Sequence, residues 1–173
     1  MPPLFDIVYI LREDIVPNEL RYSLRSIERN FPHRKVWFVC GQPEGLYPDG
    51  RIRHKQHGQN KWENTLSSLF EIIKCEDITD DFFIFNDDFF VMKPFRGTFI
   101  NYTAGTLEKR IRDLTLAHGR SPYIDQLVKA RNQLLFDGFD AISFAVHMPF
   151  LMNKELARGS LNNIGSPMFR SIY

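Results

Sequence analysis

The chain has only two cysteines, Cys40 and Cys75, and they are far apart. No CxxC pair and no His/Cys cluster with ligand spacing exists, which speaks against a disulfide framework and a structural zinc site. A reduced, cytoplasmic setting is the simpler expectation, with one disulfide left open. Net charge is also nearly absent: 22 basic residues against 21 acidic ones give a formal +1. The total therefore supplies no electrostatic argument for nucleic acid or a membrane surface. No window approaches the apolar length that spans a bilayer, and the N-terminus lacks a basic segment followed by an apolar run. Neither a transmembrane segment nor a secretory signal is expected. GxGxxG and GxxxxGK[ST] are both missing, as is a Ser-centred nucleophile elbow. No repeat or low-complexity tract is found.

What the chain does have is an ordinary globular composition over 173 residues, 43% hydrophobic and 25% charged, with an unusual 16 phenylalanines. One stretch stands out: Asp81-Phe82-Phe83-Ile84-Phe85-Asn86-Asp87-Asp88. Four consecutive large apolar residues leave no exposed face, as in a central strand covered on both sides. The apolarity ends abruptly in two adjacent carboxylates, which repel each other and resist burial unless a positive group sits beside them. In open α/β sheets ligands bind at the carboxyl ends of the strands. A plain turn accounts for one acidic residue here; a divalent-metal site accounts better for two, flanked by phenylalanines.

Residues 4–11 read as a first buried strand, apolar but for Asp6. Residues 19–30 form a helix with Leu20, Leu24 and Ile27 on one face, closed by Phe31-Pro32. Residues 35–40 are a second strand, so the chain opens β-α-β, the pattern of a parallel sheet. A Gly- and Pro-rich loop follows over 41–50, then a short strand at 51–54 and a helix over 61–74, with Asn60 and Glu63 spaced as a capping box. Beyond the acidic strand the pattern weakens. Residues 98–102 read as an edge strand, 107–116 mix apolar and basic positions without a clear assignment, and 121–136 are a helix that opens on Ser-Pro. Residues 141–146 read as a strand with His147-Met148-Pro149 at its end. Asn153 is placed to cap a short helix to residue 157, and 162–173 have turn character. The class is α/β, with a mostly parallel central sheet flanked by helices.

Two aspartates suit Mg²⁺ or Mn²⁺, which accept carboxylate oxygens and bridge substrate phosphates. His147 is the candidate third ligand, although spacing alone favours a hydrogen-bonded histidine in a proline turn. Arg12, Arg21, Lys61 and Lys93 are cations available to a phosphate, each also explicable as a surface residue. The basic tract 51–61 is set against nucleic-acid binding by the neutral total, so no nucleic-acid partner is expected. No base on an acceptor side is assignable; Asp125 and Asp140 have equal claims.

Asn18-Glu19-Leu20-Arg21-Tyr22-Ser23-Leu24-Arg25-Ser26-Ile27-Glu28 resembles the opening of the second conserved region of the Stealth-type capsular polysaccharide phosphotransferases. Phe83 through Pro94, with Asn86-Asp87-Asp88 at its centre, resembles that region's YxNDDxFLxxP stretch, and Val146-His147-Met148-Pro149 the later His-x-Pro region. The similarity runs over residues 5–95 and returns near 147. The family overlaps in fold with GT-A nucleotide-sugar glycosyltransferases. The resemblance implies a single GT-A-like (Rossmann-like) catalytic domain over 1–173, cut short at its C-terminus, since no counterpart of the family's fourth region is seen. It implies a metal-dependent glycosyltransferase taking a nucleotide sugar to a saccharide or glycan acceptor in surface-glycan synthesis. Sugar-1-phosphate transfer and a non-catalytic nucleotide-sugar binder are the alternatives. Asp87 and Asp88 would be metal and diphosphate residues, with Asn86 shaping the turn. Arg21 would contact phosphate or sugar, and His147 would be a ligand or active-site group. Arg12, Asn60, Lys61 and Asn64 would face the donor. The oligomeric state is not implied.

Overall fold

The computed structural model of the chain describes residues 4–15, 17–58, 60–144, 146–163 and 169–172. Two compact units form, one from Met1–Ile100 with His147–Lys154 and one from Asn101–Val146 with Glu155–Tyr173. Every metal-, phosphate- and donor-binding residue expected from the sequence falls in the first, and the two acceptor-side candidates, Asp125 and Asp140, fall in the second.

The first unit runs β1 (Asp6–Leu11), α1 (Pro17–Asn30), β2 (Val36–Cys40), β3 (Gly50–Ile52), α2 (Lys61–Lys74) and β4 (Asp81–Phe85), and is completed much later by β5 (Phe150–Asn153). The sheet order is β3-β2-β1-β4-β5. The first four strands are parallel, and β5 runs antiparallel to β4. This is an α/β fold with a mostly parallel sheet, as the β-α-β opening implies. Strand residues alternate between faces. Ile7, Tyr9, Leu11, Val36, Phe38, Phe83 and Phe85 meet Leu20, Ile27 and Phe31 in one core around α1. Val8, Trp37, Val39, Phe82 and Ile84 are buried on the other face, and α2 buries Leu69, Ile72 and Ile73. The surplus of phenylalanine goes into the α1 side: Phe31 meets Phe83 and Phe85 edge to face at 5.1 and 5.4 Å between centroids, and Phe83 meets Phe99 at 4.6 Å.

Asp6, the polar exception in β1, is fully buried. Its carboxylate accepts from Arg34 Nε and Nη2 at 2.8 and 2.6 Å, from Trp37 Nε1 at 3.1 Å and from the Thr79 amide at 3.1 Å. A buried charge persists when paired and hydrogen-bonded this fully. The knot ties β1, β2 and the approach to β4 together at the amino edge of the sheet. On the same side, Lys154 Nζ reaches the carbonyls of Cys75 and Ile78 just beyond α2.

The second unit contains α3 (Leu107–His118), α4 (Pro122–Phe136), α5 from Glu155 onward (the helix spans Lys154–Asn163) and α6 (Phe169–Ile172). Thr106 caps α3 and Ser121 caps α4, with Pro122 in the first turn. Glu108 pairs with Arg131 at 2.6 Å across the two helices.

Several expectations change. No strand forms at 98–102. The expected strand 141–146 reduces to one bridge between Ile142 and Thr106. The strand the sequence concealed is β5, four residues directly after Pro149. Residues 107–118 are a helix, and the helix after Asn153 continues to Asn163 rather than 157. The C-terminal run is helical where described; Ala145 of the expected strand, residues 164–168 and Tyr173 lie outside the described residues. Cys40 and Cys75 are free.

Candidate functional site

From β1 the chain moves outward to β2 and β3, then α2 carries it back across to β4 on the other side of β1. The connections diverge between β1 and β4, which makes their carboxyl ends the switch point where open α/β sheets leave a crevice for ligands. Asn86-Asp87-Asp88 follow β4 there. The register pairs Tyr9 with Phe85, so the residues just past β1, Arg12 among them, lie level with the two aspartates.

The Phe89 amide donates to the Asn86 carbonyl at 3.2 Å, so Asn86 to Phe89 is a tight turn. The plain-turn reading and an acidic ligand site are thus compatible. The segment after it is held by side chains of α1 in place of a neighbouring strand. Ser23 Oγ donates to the Phe89 carbonyl at 2.7 Å, Ser26 Oγ accepts from the Val91 amide at 2.9 Å, and Asn30 Nδ2 donates to the Val91 carbonyl. These residues are spaced to share one helical face. With the Ser23 proton committed to Phe89, the Tyr9 hydroxyl, 2.7 Å away, donates to Ser23 Oγ. Burial pushes the Tyr9 phenol well above its ordinary range, the Ser23 hydrogen bond partly offsets this, and the Asp87 charge adds to it. Tyr9, Ser23 and Ser26 were not singled out from sequence. The only signal of the two serines is a polar stripe interrupting the apolar face of a helix.

His147 reaches this edge by a different route from the one its position after an expected strand suggested. It precedes β5, and because β5 is antiparallel to β4, with Phe150 opposite Ile84, its amino end lies at the carboxyl end of β4. His147 Nε2 stands 3.5 Å from Asp88 Oδ1, with the two side chains 69% and 40% exposed. Both groups are open to a ligand.

The other candidates divide. Arg21 Nη2 donates to the Glu44 carbonyl at 3.2 Å, holding the loop after β2. Arg12 is exposed and pairs with Asp14 at 3.4 Å. Asn60 is the N-cap of α2: its side chain accepts from the Trp62 and Glu63 amides and donates to Glu63. Asn64 Oδ1 accepts from the Gly58 amide at 2.7 Å, and the Lys61 ammonium lies 5.4 Å from the Trp62 ring centroid. The amides of Asn60 and Asn64 are thus engaged in starting α2 rather than in reaching β4. Asp125, an acceptor-side candidate, pairs with Arg120 in the second unit.

Cys40 ends β2 with φ +71°, a left-handed conformation that costs a non-glycine residue energy. Next to it Gly41 lies so close to β1 that a Cβ would sit 2.0 Å from the Arg12 carbonyl oxygen. Only glycine fits. Ser68 Oγ donates to the Asn64 carbonyl, so the Cys40 thiol, 3.1 Å away, donates to Ser68; burial pushes that thiol up.

Among the described residues, no group of three or more His, Cys, Asp and Glu side chains is disposed to hold a metal ion. Of the three expected ligands, Asp88 and His147 stand 3.5 Å apart, and Asp87 precedes Asp88 in the turn. Mg²⁺ and Mn²⁺ commonly take one or two protein oxygens and complete their shell with water and phosphate. A cation of that kind held by Asp88 and His147 would take its remaining ligands from water and a bound molecule.

No family model and no curated protein sequence matches the chain.

Proposed function

We propose that the first unit binds a nucleotide sugar across the carboxyl ends of β1 and β4 and, with Mn²⁺ or Mg²⁺, transfers its sugar to a saccharide or glycan acceptor, as a GT-A-like enzyme. The observation that carries the reading is the pairing of Asp88 with His147 on an acidic turn at the switch point of a parallel sheet. Asp88 and His147 would hold the cation, with Asp87 beside them adding negative charge. When bound, the cation offsets charge on the leaving diphosphate. Arg21, anchored on the Glu44 carbonyl, is the cation suited to a phosphate or sugar oxygen. The hydrogen bonds that Ser23 donates and Ser26 accepts hold the backbone that follows the turn, which limits the reorganisation binding would need.

A thermal-shift screen of nucleotide sugars with and without Mn²⁺ tests this. Ligand at a hundredfold excess over Kd contributes about 2.7 kcal/mol, so a Mn²⁺-dependent rise in Tm is expected for one donor, lost in Asp88→Ala and reduced in His147→Ala. No rise for any donor, or a rise indifferent to Asp88→Ala, removes the reading. The same residues carry the resemblance to sugar-1-phosphate transfer. Released nucleoside diphosphate indicates glycosyl transfer, released monophosphate indicates sugar-phosphate transfer, and binding without product indicates a non-catalytic protein.

A further inference from the structure

On the α1 side of the sheet lies a cavity of about 440 Å³ whose wall includes Phe5, Phe31, Phe83, Phe95, Phe99 and Arg96. It shares no residue with the acidic turn, His147 or Arg21. Its volume falls within the range of small-molecule sites, which combine an apolar lining with a few polar groups that fix orientation. The polar groups here are confined to one corner, Arg96, Gly97 and Thr98, and Arg96 is the one charged residue of the lining. Gly97 turns the chain at φ +122°, a conformation reserved for glycine, and nothing lies within 4 Å of where its Cβ would be. Arg96 has no ion pair among the described residues. The phenylalanine rings are already engaged with one another: Phe31 with Phe83 at 88° between planes, Phe5 with Phe83 at 90°, Phe83 with Phe99 at 82° and Phe31 with Phe95 at 34°. Such a wall offers no pair of parallel faces between which a flat ring would stack, but a flexible chain conforms to it.

We propose that this cavity binds a medium-length acyl chain bearing a single carboxylate, the chain among the phenylalanines and the carboxylate on Arg96. An apolar body is favoured by the area it removes from water, and the guanidinium both attracts an anion and selects against a cation.

Isothermal titration of the full chain with decanoate, decanol and decyltrimethylammonium, each below its micelle concentration, tests the proposal. Decanoate is expected to bind one to one, decanol about tenfold or more weakly, and decyltrimethylammonium not at all, since hydrogen bonds to a charged group are worth that much. Arg96→Glu, at an exposed position, should weaken decanoate about tenfold or more, with Arg96→Lys recovering part of the loss. Phe99→Ala should weaken decanoate and decanol together. Asp88→Ala should leave decanoate binding unchanged, which separates this site from the nucleotide-sugar reading. Absence of decanoate binding, equal binding of all three probes, or indifference to Arg96→Glu each overturns it.

Discussion

The residue that tells most about the site is Ser23, which reads as an unremarkable helix position and yet joins Tyr9 to the backbone after the acidic turn. Its hydroxyl both donates to Phe89 and accepts from Tyr9, so no apolar residue replaces it without stranding a buried partner. Ser23→Ala should cost about 1–3 kcal/mol in urea unfolding, the range for an unsatisfied buried group. Tyr9 carries a pH signature of its own. Its folded pKa is raised above the ordinary phenol value near 10.0, so below that pH both folded and unfolded states keep the proton and the hydroxyl's contribution is complete. Above it the unfolded chain releases a proton that the folded chain retains, and stability falls by about 1.4 kcal/mol per pH unit. Tyr9→Phe should flatten that part of the decline, read as the difference in urea midpoints between the two proteins from pH 9 to 11.5. The aspartates were legible because charge ending an apolar run is conspicuous. Ser23 was not, because a buried serine and a solvated one look alike in sequence.

At the scale of elements, the amino edge of the sheet is tied by the buried Asp6 knot, and the proposed site lies at the carboxyl edge. Asp6→Ala leaves Arg34, Trp37 and the Thr79 amide without their shared acceptor. About 2–4 kcal/mol should be lost, reduced from the fully buried case because Arg34 is 38% exposed. Because the knot lies at the opposite edge from the acidic turn, that variant, where folded, should keep the Mn²⁺-dependent thermal shift. Elements with a complete local signature were readable. The helix over 61–74 was found to the residue because Asn60 and Glu63 mark its start and a run of apolar positions marks its buried face. β1, β2 and β4 were readable as apolar runs. β5 was hidden because four residues after a proline carry too short a pattern, and residues 141–146 misled because their Ala, Ile, Phe and Val look like a strand without a partner in the sheet. The helix over 107–118 was obscured by a mixed surface with a single buried residue, Leu107.

Over the whole molecule, the sheet has a long parallel centre and short edges. β1 and β4 are flanked on both sides and their side chains are almost wholly buried, whereas β3 is three residues long and paired on one side. Amide hydrogen exchange should therefore be slowest in Ile7–Tyr9 and Phe82–Phe85 and faster by orders of magnitude in β3; equal protection across the sheet would contradict the arrangement. Short edge strands also give other chains little backbone to pair with.

The antiparallel entry of β5 has a consequence for how the molecule comes into being. During synthesis β1 to β4 emerge in succession and have every partner they need from one another except along the outer edge of β4. The last strand must wait until the whole intervening stretch has been made, and only then does a histidine arrive beside an aspartate that left the ribosome long before. A nascent chain therefore carries a nearly finished sheet with half of its candidate site, and the open side of β4 is the place where a chaperone, or a wrong strand, would find it.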